Sequence, residues 1–249
     1  MATLVRMARD NRNRDEDVRQ HSGWLIPLVV FVVTAGLSAM FLLFYLVPNP
    51  TTFIEEHSAL TTQTGPVNFT VGDVAFTVPS NYFMYRSARE GGTRKDVSLV
   101  TLLPDFRGYT SDEAQTFNDQ SADSPVIYIL LRSEPLNLPE KERLKRIYMA
   151  YVANPAGEPG PFGLTQYTFR GDSGYRGEDL FVGQTASGLA VIRCGRFSPE
   201  LPSPSCLRDR RLTKGVAVTY RFKRANLGQW REIAAGIDRL IEGFRARAK

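Results

Sequence analysis

Apolar residues fall into three regimes along the chain. From Trp24 to Val47 they are unbroken, WLIPLVVFVVTAGLSAMFLLFYLV, with no charge. At a helical rise of about 1.5 Å per residue this stretch reaches roughly 36 Å, enough for about 30 Å of hydrocarbon. From Val67 onward the pattern shortens to strand-like runs. Val67–Val71 and Val74–Val78 flank Gly72-Asp73, which predicts a hairpin. Val97–Leu103, Val126–Leu131, Leu164–Phe169, Asp179–Gln184, Leu189–Cys194 and Val216–Phe222 read as further strands, and VIYILL at 126–131 lacks alternation, as a central strand does. Two stretches carry helical spacing. Leu144, Ile147, Tyr148, Tyr151 and Val152 predict a helix over 139–152. Leu227, Trp230, Ile233, Ala234, Ile237, Leu240, Ile241 and Phe244 predict an amphipathic C-terminal one, with Asn226 and Gln229 placed as a capping pair.

Four segments follow: a polar tail at 1–22, a transmembrane helix at 23–47, a Thr- and Pro-rich linker at 48–66 with a helical turn near Phe53-Ile54, and one folded domain at 67–249. Strands first and an amphipathic helix last make the domain α+β, mainly antiparallel, with one helix near its middle.

Charge sets the expected orientation. Arg6, Arg9, Arg12, Arg14 and Arg19 precede the span, whereas no Lys or Arg occurs from Pro48 until Arg86. Lys and Arg stay cytoplasmic, so the tail is expected inside and the domain outside, in the periplasm of a bacterial inner membrane. A cleaved signal peptide is the rival reading. Its apolar core runs about 7–15 residues, and this stretch continues well past Ser38-Ala39, which favours a retained anchor. Ala35, Gly36 and Ala39 give the span a small-residue face on which another helix could pack. Cys194 and Cys206, separated by eleven residues, fit one disulfide in an oxidising compartment.

The opening hairpin with FTVP at 76–79 and the aromatic residues after it, taken with the closing strand and the spacing Trp230, Ile233, Ile237, Leu240, Ile241, Phe244, resembles the PsbP/Mog1-like α/β/α domains over Val67 to Phe244. That resemblance implies a three-layer domain and an accessory or assembly role without catalysis.

Candidate chemistry is sparse. Gly171-Asp172-Ser173-Gly174 looks like a protease nucleophile signature, but the two histidines, His21 and His57, both precede the domain, so a turn is expected instead. Their placement also argues against Cys/His catalysis and most transition-metal sites, and no cofactor is expected. Carboxylates at Asp112-Glu113, Asp172 and Glu178-Asp179 leave a cell-wall hydrolase conceivable.

Basic charge is concentrated late. Residues 193–249 carry fourteen Lys/Arg against five Asp/Glu, while 67–192 carry twelve against fifteen. Arg208, Arg210, Arg211, Lys214, Arg221, Lys223 and Arg224 are therefore expected on one contact face for an acidic partner or anionic lipid; nucleic acid is not expected. The expected function is a membrane-anchored, non-enzymatic accessory or assembly subunit of a larger membrane complex. A single-pass sensor signalling through the tail, and then the hydrolase, are the alternatives.

Overall fold

The computed structural model describes residues 23–46, 58–134 and 138–247. The tail with its five arginines, the Phe53-Ile54 turn and the first part of the linker lie outside the described residues. Helix α1, Leu25–Leu46, is the uncharged stretch of the sequence, with every side chain from Trp24 to Leu43 exposed. Its Leu25–Leu43 portion has a mean hydropathy of 2.5, and it is the one described helix long and apolar enough to cross a membrane. An N-terminal signal sequence has the same composition, so the helix shows an anchor or a signal.

The remaining chain is α+β. Strands β1 (Pro66–Val71), β2 (Val74–Pro79) and β3 (Gly92–Arg94) form a small sheet ordered β2-β1-β3. Gly72, at φ +57°, makes the β1–β2 turn. A second, antiparallel sheet contains β4 (Asp96–Leu102), β5 (Val126–Ser133), β6 (Glu158–Pro159), β7 (Thr165–Thr168), β8 (Glu178–Thr185), β9 (Gly188–Gly195), β10 (Ser205–Arg211) and β11 (Val216–Lys223). Their order is β4-β5-β11-β10-β9-β8-β7-β6. The helices are α2 (Ala114–Phe117), α3 (Glu140–Arg146) and α4 (Trp230–Arg247).

Strand alternation sorts the large sheet into two faces. Ile129, Leu131, Val218, Tyr220, Phe222, Cys206, Cys194, Ile192 and Phe181 point inward, into one core with the small sheet and with Trp230, Ile233, Ile237, Ile241 and Phe244 of α4. Each fully buried side chain of that kind contributes about 1.5–3 kcal/mol. Arg231, Glu232, Arg239 and Glu242 hold the solvent side of α4. The outer face carries two smaller clusters. Tyr148, Val152, Phe169, Leu180, Val182 and Val191 form one; Val100, Leu102, Phe117 and Val126 form the other, with Leu60 packed against it. Residues 58–65, read as linker, thus lie against the domain, with the Ala59 amide donating to the Met84 carbonyl at 2.9 Å.

The middle helix is shorter than its spacing predicts. α3 ends at Arg146, Tyr148–Ala150 form a 3₁₀ turn, and Val152 bridges to Phe169. The apolar spacing survives because Leu144, Ile147, Tyr148 and Val152 all face the same outer cluster, while Tyr151 stays exposed. Asn226 does not cap α4; its amide donates to the Ser124 carbonyl at 2.9 Å, and a 3₁₀ segment, Arg224–Gln229, leads into the helix.

Candidate binding site

The large sheet splits between β9 and β10. β9 pairs with β8 over eight positions but with β10 at only three, Cys194–Cys206, Arg193–Leu207 and Ile192–Arg208. Beyond Ile192 the two strands diverge and α3 fills the gap. Such a split strands backbone donors and acceptors that need partners once they leave water. Two side chains of α3 supply them. The Glu140 carboxylate accepts the Val191 amide at 3.0 Å, and the Arg143 guanidinium donates to the Asp209 carbonyl at 2.8 Å. Arg143 also pairs with the Asp209 carboxylate at 2.7 Å. Helix α3 is therefore tied to both lips of the split.

Beneath it lies a buried charge cluster. Arg208 is 1% exposed, and its Nε and Nη2 each meet a Glu140 oxygen at 2.9 Å. Its Nη1 donates to the Tyr220 hydroxyl at 3.1 Å. Burial works against the Arg208 charge, but its hydrogen bonds and attraction to Glu140 and Tyr220 win and raise its pKa above the ordinary value. Burial pushes the Tyr220 phenol up to about 12, against the pull of Arg208. A group whose folded pKa exceeds its unfolded value stabilises the fold below the unfolded pKa and loses that contribution as pH rises through the folded one. Stability is thus expected to fall between about pH 10 and about pH 12, and Tyr220→Phe to blunt the fall; denaturant titrations across that range check it.

The disulfide joins Cys194 and Cys206, directly paired residues at the closed end of the split. The loop it closes is held down by Asp179, 6% exposed, which takes Arg196 and Arg224 on its two oxygens at 2.8 Å each. Reduction, or Cys194→Ser with Cys206→Ser, is expected to cost about 3 kcal/mol from loop closure alone, read as a lower urea midpoint.

The single basic face expected from the sequence is not formed. Period-two alternation turns Arg208 and Arg210 inward, toward α4, and leaves Arg211, Arg221 and Lys223 outward. Arg208 is consumed by Glu140, and Arg210 lies 3.3 Å from Asp238 of α4, whose other oxygen accepts from the Ser187 hydroxyl at 2.8 Å. Arg224 is spent on Asp179 and on the Gly195 carbonyl at 2.6 Å. Lys214 is exposed on the β10–β11 turn, and Lys223 donates to the Ser203 hydroxyl at 2.7 Å. Arg221 stays exposed on the outer face, in a row with Tyr128, Leu207 and Arg193.

The other candidates resolve locally. Ser173 is buried and its hydroxyl donates to the Arg170 carbonyl at 2.8 Å, the turn expected of that motif. Glu178 and Asp179 sit on opposite faces of β8, Glu178 bound to Arg193 at 2.8 Å, so they do not face one another as a hydrolytic pair would. Glu113 bonds to Arg107, which lowers its pKa. Ala35, Gly36 and Ala39 lie exposed on α1, and a methyl group built on Gly36 meets nothing within 4 Å.

What the split creates is a cleft of about 720 Å³ between α3 and the diverging strands. Lys141 and Lys145 stand on its helix wall, Arg210 and Arg211 on its strand wall, and Leu144, Met149 and Leu189 supply apolar surface. Glu140 and Arg143, which build it, carry no sequence motif; EKERLKR reads as an ordinary solvated helix turn.

No protein-family model matches the chain, and no curated protein sequence matches it. Among solved structures it is similar to an immunity protein of the Stenotrophomonas maltophilia type IV secretion system, at 16% identity and a TM-score of 0.53, over 73% of this chain and 94% of that one. The likeness is one of fold. That structure is not a PsbP/Mog1-like domain, so the resemblance drawn from the strand and helix pattern stands as a proposal.

Proposed function

We propose that this protein is a membrane-anchored accessory subunit of an envelope complex, holding another protein through its α+β domain and performing no catalysis. The observation that carries the reading is α1, a 22-residue helix without a charge, on the same chain as a disulfide-closed domain with a cation-lined cleft. Retained as an anchor, with the arginine-rich tail inside, α1 puts the domain on the oxidising side where its disulfide persists. The solved neighbour of the same fold is an immunity protein of a secretion system, and that likeness supports a protein-binding rather than a catalytic use of the domain. The architectural resemblance to PsbP/Mog1-like domains points the same way.

Extraction in mild detergent followed by native mass spectrometry tests this. The expected result is a stoichiometric protein partner that survives dilution. A bare monomer across several mild detergents contradicts it.

A further inference from the structure

The cleft beside α3 has an unbalanced charge, and the imbalance has a direction. Each carboxylate near it already has a cation: Glu140 has Arg208, Asp209 has Arg143, Asp238 has Arg210, and Glu142 has Arg146. Lys141, Lys145 and Arg211, which line the same cleft, have no carboxylate within ion-pair distance among the described residues. Three uncompensated positive charges thus surround the apolar surface of Leu144, Met149 and Leu189.

Their arrangement narrows the occupant. Lys141 and Lys145 are one helical turn apart, about 6 Å between Cβ atoms, and Arg211 faces them from the other wall. Charges spread along two walls match acidic side chains spaced along a chain better than one compact anion. A bilayer surface is broad and flat, and does not enter a concave cleft about 720 Å³ in volume. Half-buried Leu144, Met149 and Leu189 ask for an apolar side chain between the acids, the usual make-up of an interface core with a polar rim.

From this complementarity we infer that the cleft between β9, β10 and α3 binds an acidic segment of a partner protein, seated by at least one apolar side chain. The inference rests on the reading of the domain as a protein-holding module, and it adds the place and the chemistry. Glu140 and Arg143 shape the cleft by closing the split sheet, while Lys141, Lys145 and Arg211 meet the ligand.

The test uses the full chain in detergent and a fluorescein-labelled peptide alternating glutamate with leucine, read by fluorescence anisotropy. The glutamate peptide is expected to bind about tenfold or more tightly than its glutamine analogue, and K141E/K145E to weaken it by about tenfold or more. K214E, an exposed cation outside the cleft, is expected to leave binding unchanged. Circular dichroism checks that K141E/K145E folds, and K141Q/K145Q, with a smaller loss of binding in the same direction, replaces it otherwise. Equal binding of the glutamine peptide, or an equal loss in K214E, overturns the inference. So does binding of phosphatidylglycerol vesicles, lost in K141E/K145E, when the peptide does not bind. If a partner found by native mass spectrometry stays bound to K141E/K145E, the cleft assignment fails and the accessory reading stands. If no partner is found but the peptide behaves as expected, the accessory reading fails and the cleft stands.

Discussion

Glu140→Ala is expected to lose about 3–5 kcal/mol of domain stability, because it leaves the charge of Arg208 buried without a counterion. Arg208 is 1% exposed, so water cannot replace the carboxylate. The same substitution orphans the Val191 amide, which Glu140 accepts at the lip of the split. Glu140→Gln keeps one acceptor oxygen for the Val191 amide while removing the charge and turning an NH2 toward Arg208 Nη2, so its cost should be smaller than that of the alanine variant. Arg208→Met added to Glu140→Gln removes the unpaired cation and should recover much of the loss, since apolar replacements of buried ion pairs are often neutral. Urea unfolding of the four proteins measures these differences. Equal stability of wild type and Glu140→Ala would mean that α3 does not close the sheet.

Trp230→Ala is expected to cost a similar amount, about 3–5 kcal/mol, through the cavity it opens at the start of α4. Trp230 is 1% exposed, and its indole Nε1 donates to the Phe162 carbonyl at 3.2 Å. Its ring occupies the space above Gly183 of β8, where an added Cβ would lie 2.5 Å from the ring. Gly183→Ala should therefore destabilise on its own by about 1–3 kcal/mol through overpacking. In the Trp230→Ala background the contact with the ring is gone, and the Leu164 side chain, whose Cδ2 would lie 2.7 Å from that methyl group, must still give way. The double variant should be more stable than the sum of the single effects predicts, by at least about 0.5 kcal/mol in a double-mutant cycle. Strict additivity would separate the two residues.

Most of the fold was legible because burial and periodicity agreed. The α1 stretch, the β1–β2 hairpin, β5, β8, β9, β11 and the apolar stripe of α4 all show a hydrophobic pattern that needs no tertiary context. β10 did not. Its sequence SCLRDRR has the composition of a solvated basic run, and nothing local says that Arg208 turns into the core. The compensation comes from Glu140, 68 residues away, and from Tyr220 across the ladder. A long-range ion pair of this kind leaves no periodic trace, which is why the basic residues look like one face in the sequence and occupy two faces and a loop in the structure. Arg224 hides in the same way, since Asp179 lies 45 residues earlier. The cysteines were readable because a chain with two of them, twelve positions apart, admits one pairing. Their position at the closed end of the split was not, since it depends on where β9 leaves β10.

A protein that holds a partner on the outer face of the membrane must keep α1 in the mature chain and carry its domain outside the cytoplasm. Protease added to intact spheroplasts, followed by intact mass measurement of the membrane fraction, addresses both together. The untreated chain is expected to keep its N-terminal residues, and protease to remove the α+β domain and leave a short membrane-bound fragment. A mature chain beginning near residue 40, or a domain untouched by external protease, would contradict this topology.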